Sequence, residues 1–144
     1  YLDACFPFLD RFPLLPHLSH HDGKKVDVAF FYRDTATKAP LQGASWFLGY
    51  WVYEAPRKGE TRPCQGKKSL LRWDFDWLQP FFRHKEIDPR RTRALLRELA
   101  GSDSIGKLLV EPHIPARLGM SHGKIRFQGC RAARHDDHIH AQMP

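Results

Sequence analysis

The sequence of 144 residues lacks long hydrophobic runs, internal repeats and low-complexity tracts. No stretch approaches the roughly 18 consecutive apolar residues of a membrane-spanning helix, so we expect no membrane span. Hydrophobic residues make up 42% and charged residues 27% of the chain, and both values are typical of a globular protein with a buried core. The length and composition therefore predict a single domain over residues 1–144.

A recognisable signal peptide is also missing. The chain begins at Tyr1, without a methionine and without a basic segment followed by an apolar one. We therefore expect a chain that is mature or trimmed at its N-terminus, in which an export signal would not be visible.

Cysteine is scarce, and none of the three cysteines belongs to a CxxC pair. A zinc ribbon or a thioredoxin-like redox pair is therefore not expected. The three residues, Cys5, Cys64 and Cys130, are compatible with one disulfide and one free thiol, or with three buried thiols. If a disulfide forms, we expect it between Cys64 and Cys130, because each lies beside a loop that contains glycine.

Acidic residues are fewer than basic ones, and the net charge of +7 suits an anionic partner. The basic residues occur only as short pairs such as Lys24-Lys25, and no predicted helix carries a dense basic stripe with interleaved aromatic residues. We therefore expect an anionic polymer or a solvated surface, and no nucleic acid.

The order of the predicted elements indicates an α+β fold, in which a small, largely antiparallel sheet packs against helices. Turn signals and apolar patterns predict strands at 24–32, 49–55, 105–112, 124–129 and 136–143. Helices are predicted at 70–84, 89–101 and, for one or two turns, 113–120. In the first helix, aromatic residues recur at helical spacing, which favours core packing over a platform for stacking sugars.

Histidine and aspartate are concentrated in two distant clusters. Six of the nine histidines belong to them: His17, His20 and His21 near the start, and His135, His138 and His140 near the end. In the second cluster, the period of two along a strand places His138 and His140 on one face. One imidazole can then bind a metal ion while its neighbour handles a proton.

The first cluster supplies a carboxylate. Asp27 lies inside a predicted strand between Val26 and Val28, so we expect it to be at least partly buried and either protonated or paired with a cation. Exposure to solvent on an edge strand is the alternative. Gly23 permits a tight turn that brings His20 and Asp27 into one pocket. Two histidines and one carboxylate leave a fourth position open on a tetrahedral zinc ion, the pattern of a catalytic site. Surface or core histidines without a metal are the alternative interpretation.

These residues resemble the motifs of the LAS-type zinc peptidases, and among them the penicillin-insensitive murein endopeptidase family. Ser19-His20-His21-Asp22-Gly23 with Asp27 is similar to the histidine–loop–aspartate motif, and His138-Ile139-His140 to the closing HxH. His17 and the stretch KLLVEPHIPARLG also match, so the resemblance covers the two ends of the chain, roughly half its length. It implies the fold shared by these peptidases and hedgehog-type domains.

The resemblance also implies a role for each matching residue. One essential zinc ion is bound by His20, Asp27 and His140. His138 transfers a proton or stabilises the oxyanion, with His135 in support, and His17 binds a second metal or supports the ligands. Asp137 lies where related carboxypeptidases carry their acid, but strand alternation predicts it on the face opposite His138, so we prefer His138 as the base. Arg131 and Arg134 are candidates for binding a substrate carboxylate.

The function implied is hydrolysis of peptide cross-links in peptidoglycan by a periplasmic or otherwise exported zinc peptidase. A D-alanyl-D-alanine-type carboxypeptidase or dipeptidase on the same fold is the alternative among enzymes. A zinc-stabilised binding domain without catalysis is the alternative from another class. The sequence does not distinguish these activities and does not indicate an oligomeric state.

Overall fold

A computed structural model of the protein describes residues 3–4, 23–43, 49–67, 69 and 71–144. In chain order, the strands of this part are β1 (Asp3–Ala4), β2 (Lys25–Ala29), β3 (Tyr32–Asp34), β4 (Lys85–Ile87), β5 (Lys107–Leu109), β6 (Ile125–Arg126) and β7 (His138–Gln142). The main sheet has the order β1, β2, β7, β5, β6, and all its pairings are antiparallel except that of β5 with β6. Strands β3 and β4 form a separate antiparallel pair. The predicted α+β class with a largely antiparallel sheet is therefore confirmed.

Helix α1 (Pro89–Gly101) has the bounds that the sequence predicts. Asp88 caps it by accepting a hydrogen bond from the backbone N–H of Arg91 at 3.0 Å, and proline occupies the first helical position. Leu96 and Ala100 form part of its buried face. The shorter α2 (His113–Arg117) is the predicted helical turn. Among the described residues, no helix is long and apolar enough to cross a membrane.

The hydrophobic core contains one face of β7. Ile139 and Ala141 are almost fully buried in it, beside Leu108 of β5 and Leu96 of α1. Because side chains alternate across a strand, the other face of β7 carries the histidines. The predicted alternation in this strand is confirmed, and it fixes the direction in which the candidate site lies.

The predicted helix over 70–84 is wrong. A 3-10 helix spans Asp76–Phe82 and buries none of its residues. Pro80 lies within it, and a proline inside an α-helix removes a backbone hydrogen bond. The side chain of Gln79 bonds to the backbone of Trp51 and Tyr53. The expectation of core packing is also wrong, since the large aromatic residues of this region are exposed: Trp73, Trp77 and Phe81.

The predicted strand at 49–55 is absent, and these residues form an irregular segment. Trp51 has a φ angle of 70°, which a strand does not accommodate. Its backbone N–H donates to Asp137 Oδ2, and the N–H of Glu54 donates to the carbonyl of Asp136 at 2.7 Å. Bonds to the residues before β7 thus replace a strand ladder. Elsewhere, the predicted strand at 24–32 is divided into β2 and β3, and the one at 124–129 is reduced to β6.

A disulfide joins Cys64 and Cys130, whose Cα atoms are 5.3 Å apart. The predicted pairing is confirmed, while Cys5 lies outside the described residues. The bond ties the loop after the irregular segment to the chain that leads into β7, over a sequence separation of 66 residues.

Replacing both cysteines by serine is expected to lower the free energy of unfolding by about 2–4 kcal/mol, because the unfolded chain regains the entropy that the cross-link removes. Urea unfolding of the parent and of Cys64→Ser/Cys130→Ser measures the difference. A reducing agent should destabilise the parent and leave the double variant unchanged. Equal unfolding midpoints for the oxidised parent and the variant would contradict this expectation.

Candidate active site

The antiparallel pairing of β2 with β7 places Asp27 directly opposite His140. Side chains at opposite positions of such a pair lie on the same face and within contact distance. Asp27 Oδ1 is 2.9 Å from His140 Nδ1. The sheet therefore joins the aspartate of the first predicted motif to a histidine of the second, across 113 residues of sequence.

Asp27 is completely buried, as its apolar strand predicts. Its second oxygen, Oδ2, accepts a hydrogen bond from the hydroxyl of Tyr50 at 2.9 Å and lies 3.6 Å from His138 Nε2. Burial of a carboxylate without partners would be costly. Two imidazoles and a phenol around Asp27 offset that cost, so the carboxylate is held in one orientation.

His138 is buried, and its ring is held at Nδ1. Its Nδ1 is 2.5 Å from Asp137 Oδ1, and its ring meets the ring of Tyr50 edge-on at 5.1 Å. Burial lowers the pKa of His138, but the nearby carboxylates of Asp137 and Asp27 outweigh burial and raise this pKa to about 9.

The predicted orientation of Asp137 is wrong. Strand alternation places it on the face opposite His138. However, β7 begins at His138, so the alternation does not extend to Asp137. Its carboxylate instead bridges the Nδ1 of His138 and the backbone N–H of Trp51. Such a carboxylate behind an imidazole fixes the ring and its tautomer.

His135 completes a group of three neighbouring imidazoles. Its ring centroid is 5.0 Å from that of His138 and 5.7 Å from that of His140. The backbone carbonyl of His135 accepts a hydrogen bond from the N–H of Glu111, which anchors this position to the chain after β5. The three histidines of the second cluster are thus brought together at one place.

The two arginines that precede the site differ in their surroundings. Arg134 forms two bonds to the carboxylate of Asp136, at 3.0 and 2.7 Å, and its guanidinium stacks on the ring of Tyr53 at 3.6 Å. Burial lowers the pKa of Arg134, and the bonds and charge of Asp136 raise it further than burial lowers it. The charge of Arg134 is therefore matched by protein carboxylates, whereas Arg131 is exposed.

The histidines of the first cluster, among them the predicted ligands His17 and His20, lie outside the described residues. Within the described ranges, no group of three or more histidine, cysteine, aspartate or glutamate side chains is arranged to hold a metal ion. The predicted ligand set contributes two members there, Asp27 and His140. Ligand atoms of a tetrahedral zinc ion lie about 3.3 Å apart when each bond is about 2.0–2.1 Å. The observed separation of 2.9 Å is close to this distance, and the two groups are of the type that zinc prefers.

Tyr50 is a member of the site that the sequence analysis did not find. Its hydroxyl holds Asp27, and its ring packs on His138. No spacing rule signals it, because it belongs to an irregular segment that reaches the site only through the tertiary fold. A small pocket of about 20 Å³ reaches the site here; among its lining residues are Tyr50, Trp51, Tyr53, Trp73, Arg134, Asp137 and His138.

The described residues thus define a buried cluster of carboxylates and imidazoles at the junction of two antiparallel strands. Clusters of this kind, with shifted pKa values beside a pocket, are typical of catalytic and metal sites. Comparisons of the chain with protein-family models, with curated proteins and with solved structures found no match. The function is therefore inferred from the chemistry of the cluster and from the motif resemblance.

Proposed function

We propose that this protein is a zinc-dependent peptidase that hydrolyses the peptide cross-links of peptidoglycan. The observation that supports it is the buried contact between Asp27 and His140, with His138 beside both. This contact brings together residues from both motifs that resemble those of the murein endopeptidases. The proposal includes the periplasmic or other exported location that such a substrate requires.

In this proposal, His20, Asp27 and His140 hold the zinc ion, and His17 supports them or binds a second ion. Bound zinc supplies polarisation of the scissile carbonyl and activation of a water molecule at neutral pH. The hydrogen bond between Asp27 and His140 requires a proton on one of them. To hold zinc, Asp27 would have to be ionised and the ligating nitrogen of His140 free of its proton, so zinc affinity should fall at acidic pH.

His138 would transfer a proton during the reaction or stabilise the oxyanion. Asp137 holds its Nδ1 at 2.5 Å, which leaves Nε2 as the nitrogen directed toward Asp27 and the proposed ion. From this position His138 would stabilise the developing oxyanion or pass a proton to the leaving amine. His135 packs against the ring and limits its rotation. Tyr50 keeps the carboxylate of Asp27 from turning away.

The proposal is tested with purified, cross-linked peptidoglycan fragments. We expect cross-linked dimers to be converted into monomers, with loss of activity after treatment with a chelator and recovery with one equivalent of Zn²⁺. Metal analysis and X-ray absorption should show nitrogen and oxygen ligands without a sulfur shell at about 2.3 Å.

Other outcomes would identify the alternative functions. Release of terminal D-alanine alone would indicate a carboxypeptidase or dipeptidase. Binding of zinc and of peptidoglycan fragments without cleavage would indicate a binding domain stabilised by the metal. A protein that neither binds zinc nor cleaves any fragment would contradict the proposal.

A further inference from the structure

A cleft of about 560 Å³ lies beside the candidate active site. Its volume is in the range of small-molecule sites in proteins. The loop that carries Cys64 lines it, so the disulfide fixes part of its shape. Arg134 lines both this cleft and the small pocket that contains His138. A ligand in the cleft would therefore lie next to the proposed reaction centre.

His113 presents an acceptor at this cleft. The residue is 1% exposed, and its Nε2 is 2.7 Å from the backbone carbonyl of Glu54, so the N–H of the neutral ring donates there. Burial lowers the pKa of His113, which keeps the ring neutral and leaves Nδ1 as an acceptor. In the part of the chain that the structure describes, Nδ1 has no hydrogen-bond partner. A buried polar atom without a partner destabilises the folded protein, and a ligand that donates a hydrogen bond to it would offset this.

Arg72 presents a donor at the same cleft. Its Nη1 is 2.9 Å from Glu111 Oε1, and both side chains are largely buried. The contact lacks hydrogen-bond geometry, and Nη1 has no hydrogen-bond partner within the described ranges. A buried ion pair needs additional hydrogen bonds to offset the desolvation of its charges. A ligand that accepts a hydrogen bond from Arg72 would supply one.

Two further cations line the cleft at exposed positions. Arg62 donates to the backbone carbonyl of Pro56, a neutral partner, and Lys67 is exposed at the cleft. Among the described residues that line the cleft, four arginine and lysine side chains outnumber three carboxylates, those of Asp74, Glu111 and Asp136, so the net charge is positive. Such surroundings favour a ligand with a carboxylate.

We propose that this cleft binds a peptide through a free carboxylate. Arg72 and Lys67 bind the carboxylate, and His113 accepts a hydrogen bond from a peptide N–H. The identity of the peptide as a peptidoglycan stem rests on the proposed function, but the binding itself requires neither zinc nor hydrolysis. Arg134, already paired with Asp136, lines both the cleft and the pocket of His138 and would position the bound peptide beside them.

Calorimetric titration of the full chain with a short peptide whose only carboxylate is at its C-terminus, and with its C-terminal amide, tests this proposal, with and without chelator. We expect the free acid to bind about tenfold or more tightly than the amide, since a hydrogen bond to a charged group contributes about 1.5–3 kcal/mol. Lys67→Gln should weaken binding of the acid about 2–5-fold, the range of an exposed ion pair. The matched control is Lys58→Gln, because Lys58 is exposed in the same loop and does not line the cleft.

A double replacement tests the buried pair without leaving a single charge inside the protein. Arg72→Met/Glu111→Met should fold and lose the preference for the acid. Equal affinity for acid and amide, no binding of either, or equal effects of Lys58→Gln and Lys67→Gln would overturn the proposal. Preferential binding of the acid without cleavage of peptidoglycan would support the binding site in the cleft and contradict the proposed peptidase activity. Cleavage without a preference for the acid would support the peptidase activity and contradict the binding site.

Discussion

Replacing His138 by alanine is expected to lower the rate of peptidoglycan hydrolysis by about 10²–10⁴, the usual effect of losing a positioned acid–base group. Zinc content should stay near one equivalent, because the proposed ligands on β2 and β7 are retained. The neighbouring Asp137 then loses its contact with the imidazole but keeps the backbone N–H of Trp51. Steady-state rates with metal analysis of the same samples measure both quantities.

His84 provides the matched control for this prediction. Its side chain is exposed directly before β4, so His84→Ala removes an imidazole outside the site. We expect its activity and zinc content to equal those of the parent. If His138→Ala loses zinc as completely as His140→Ala, His138 is a ligand, and its assignment to proton transfer is wrong. Unchanged activity in His138→Ala would also contradict it.

Replacing Asp27 by asparagine is expected to abolish zinc binding at micromolar metal and, with it, nearly all activity. The substitution keeps the shape of the side chain but removes the charge that faces His140 and the proposed ion. Because bound metal stabilises only the folded state, zinc present at 1,000 times its dissociation constant adds about 4 kcal/mol. For a chain of this size, that corresponds to a melting temperature higher by on the order of 10 °C.

Thermal melts with and without chelator measure this effect directly. Chelator should lower the melting temperature of the parent. For Asp27→Asn and for His140→Ala, the melting temperature of each variant should be the same with and without chelator. Asp103→Asn, at an exposed carboxylate after α1, is the control and should behave as the parent. A parent that melts unchanged in chelator, together with an Asp27→Asn variant that keeps its zinc, would show that Asp27 is not a ligand.

Local sequence signals predicted the elements that frame the site. The cap at Asp88 and the proline after it gave α1 its first residue, since both act on the first turn of the same helix. Apolar alternation predicted β7 and the face on which its histidines lie. The same kind of signal failed over 70–84, where helical spacing of aromatic residues was not followed by burial. Spacing describes which residues can share a face, and contacts from distant segments decide whether that face is covered.

For the site itself, the sequence alone determined the buried carboxylate in β2 and the paired histidines in β7. Only the tertiary structure decided that Asp27 lies opposite His140, that Tyr50 holds the carboxylate, and that Asp137 turns toward His138. The physical reason is that each arrangement depends on hydrogen bonds between segments far apart in the chain, including the bond from the backbone N–H of Trp51 that holds Asp137. Hydrogen bonds between such distant segments fix atoms in space without any regular interval between their residues in the sequence.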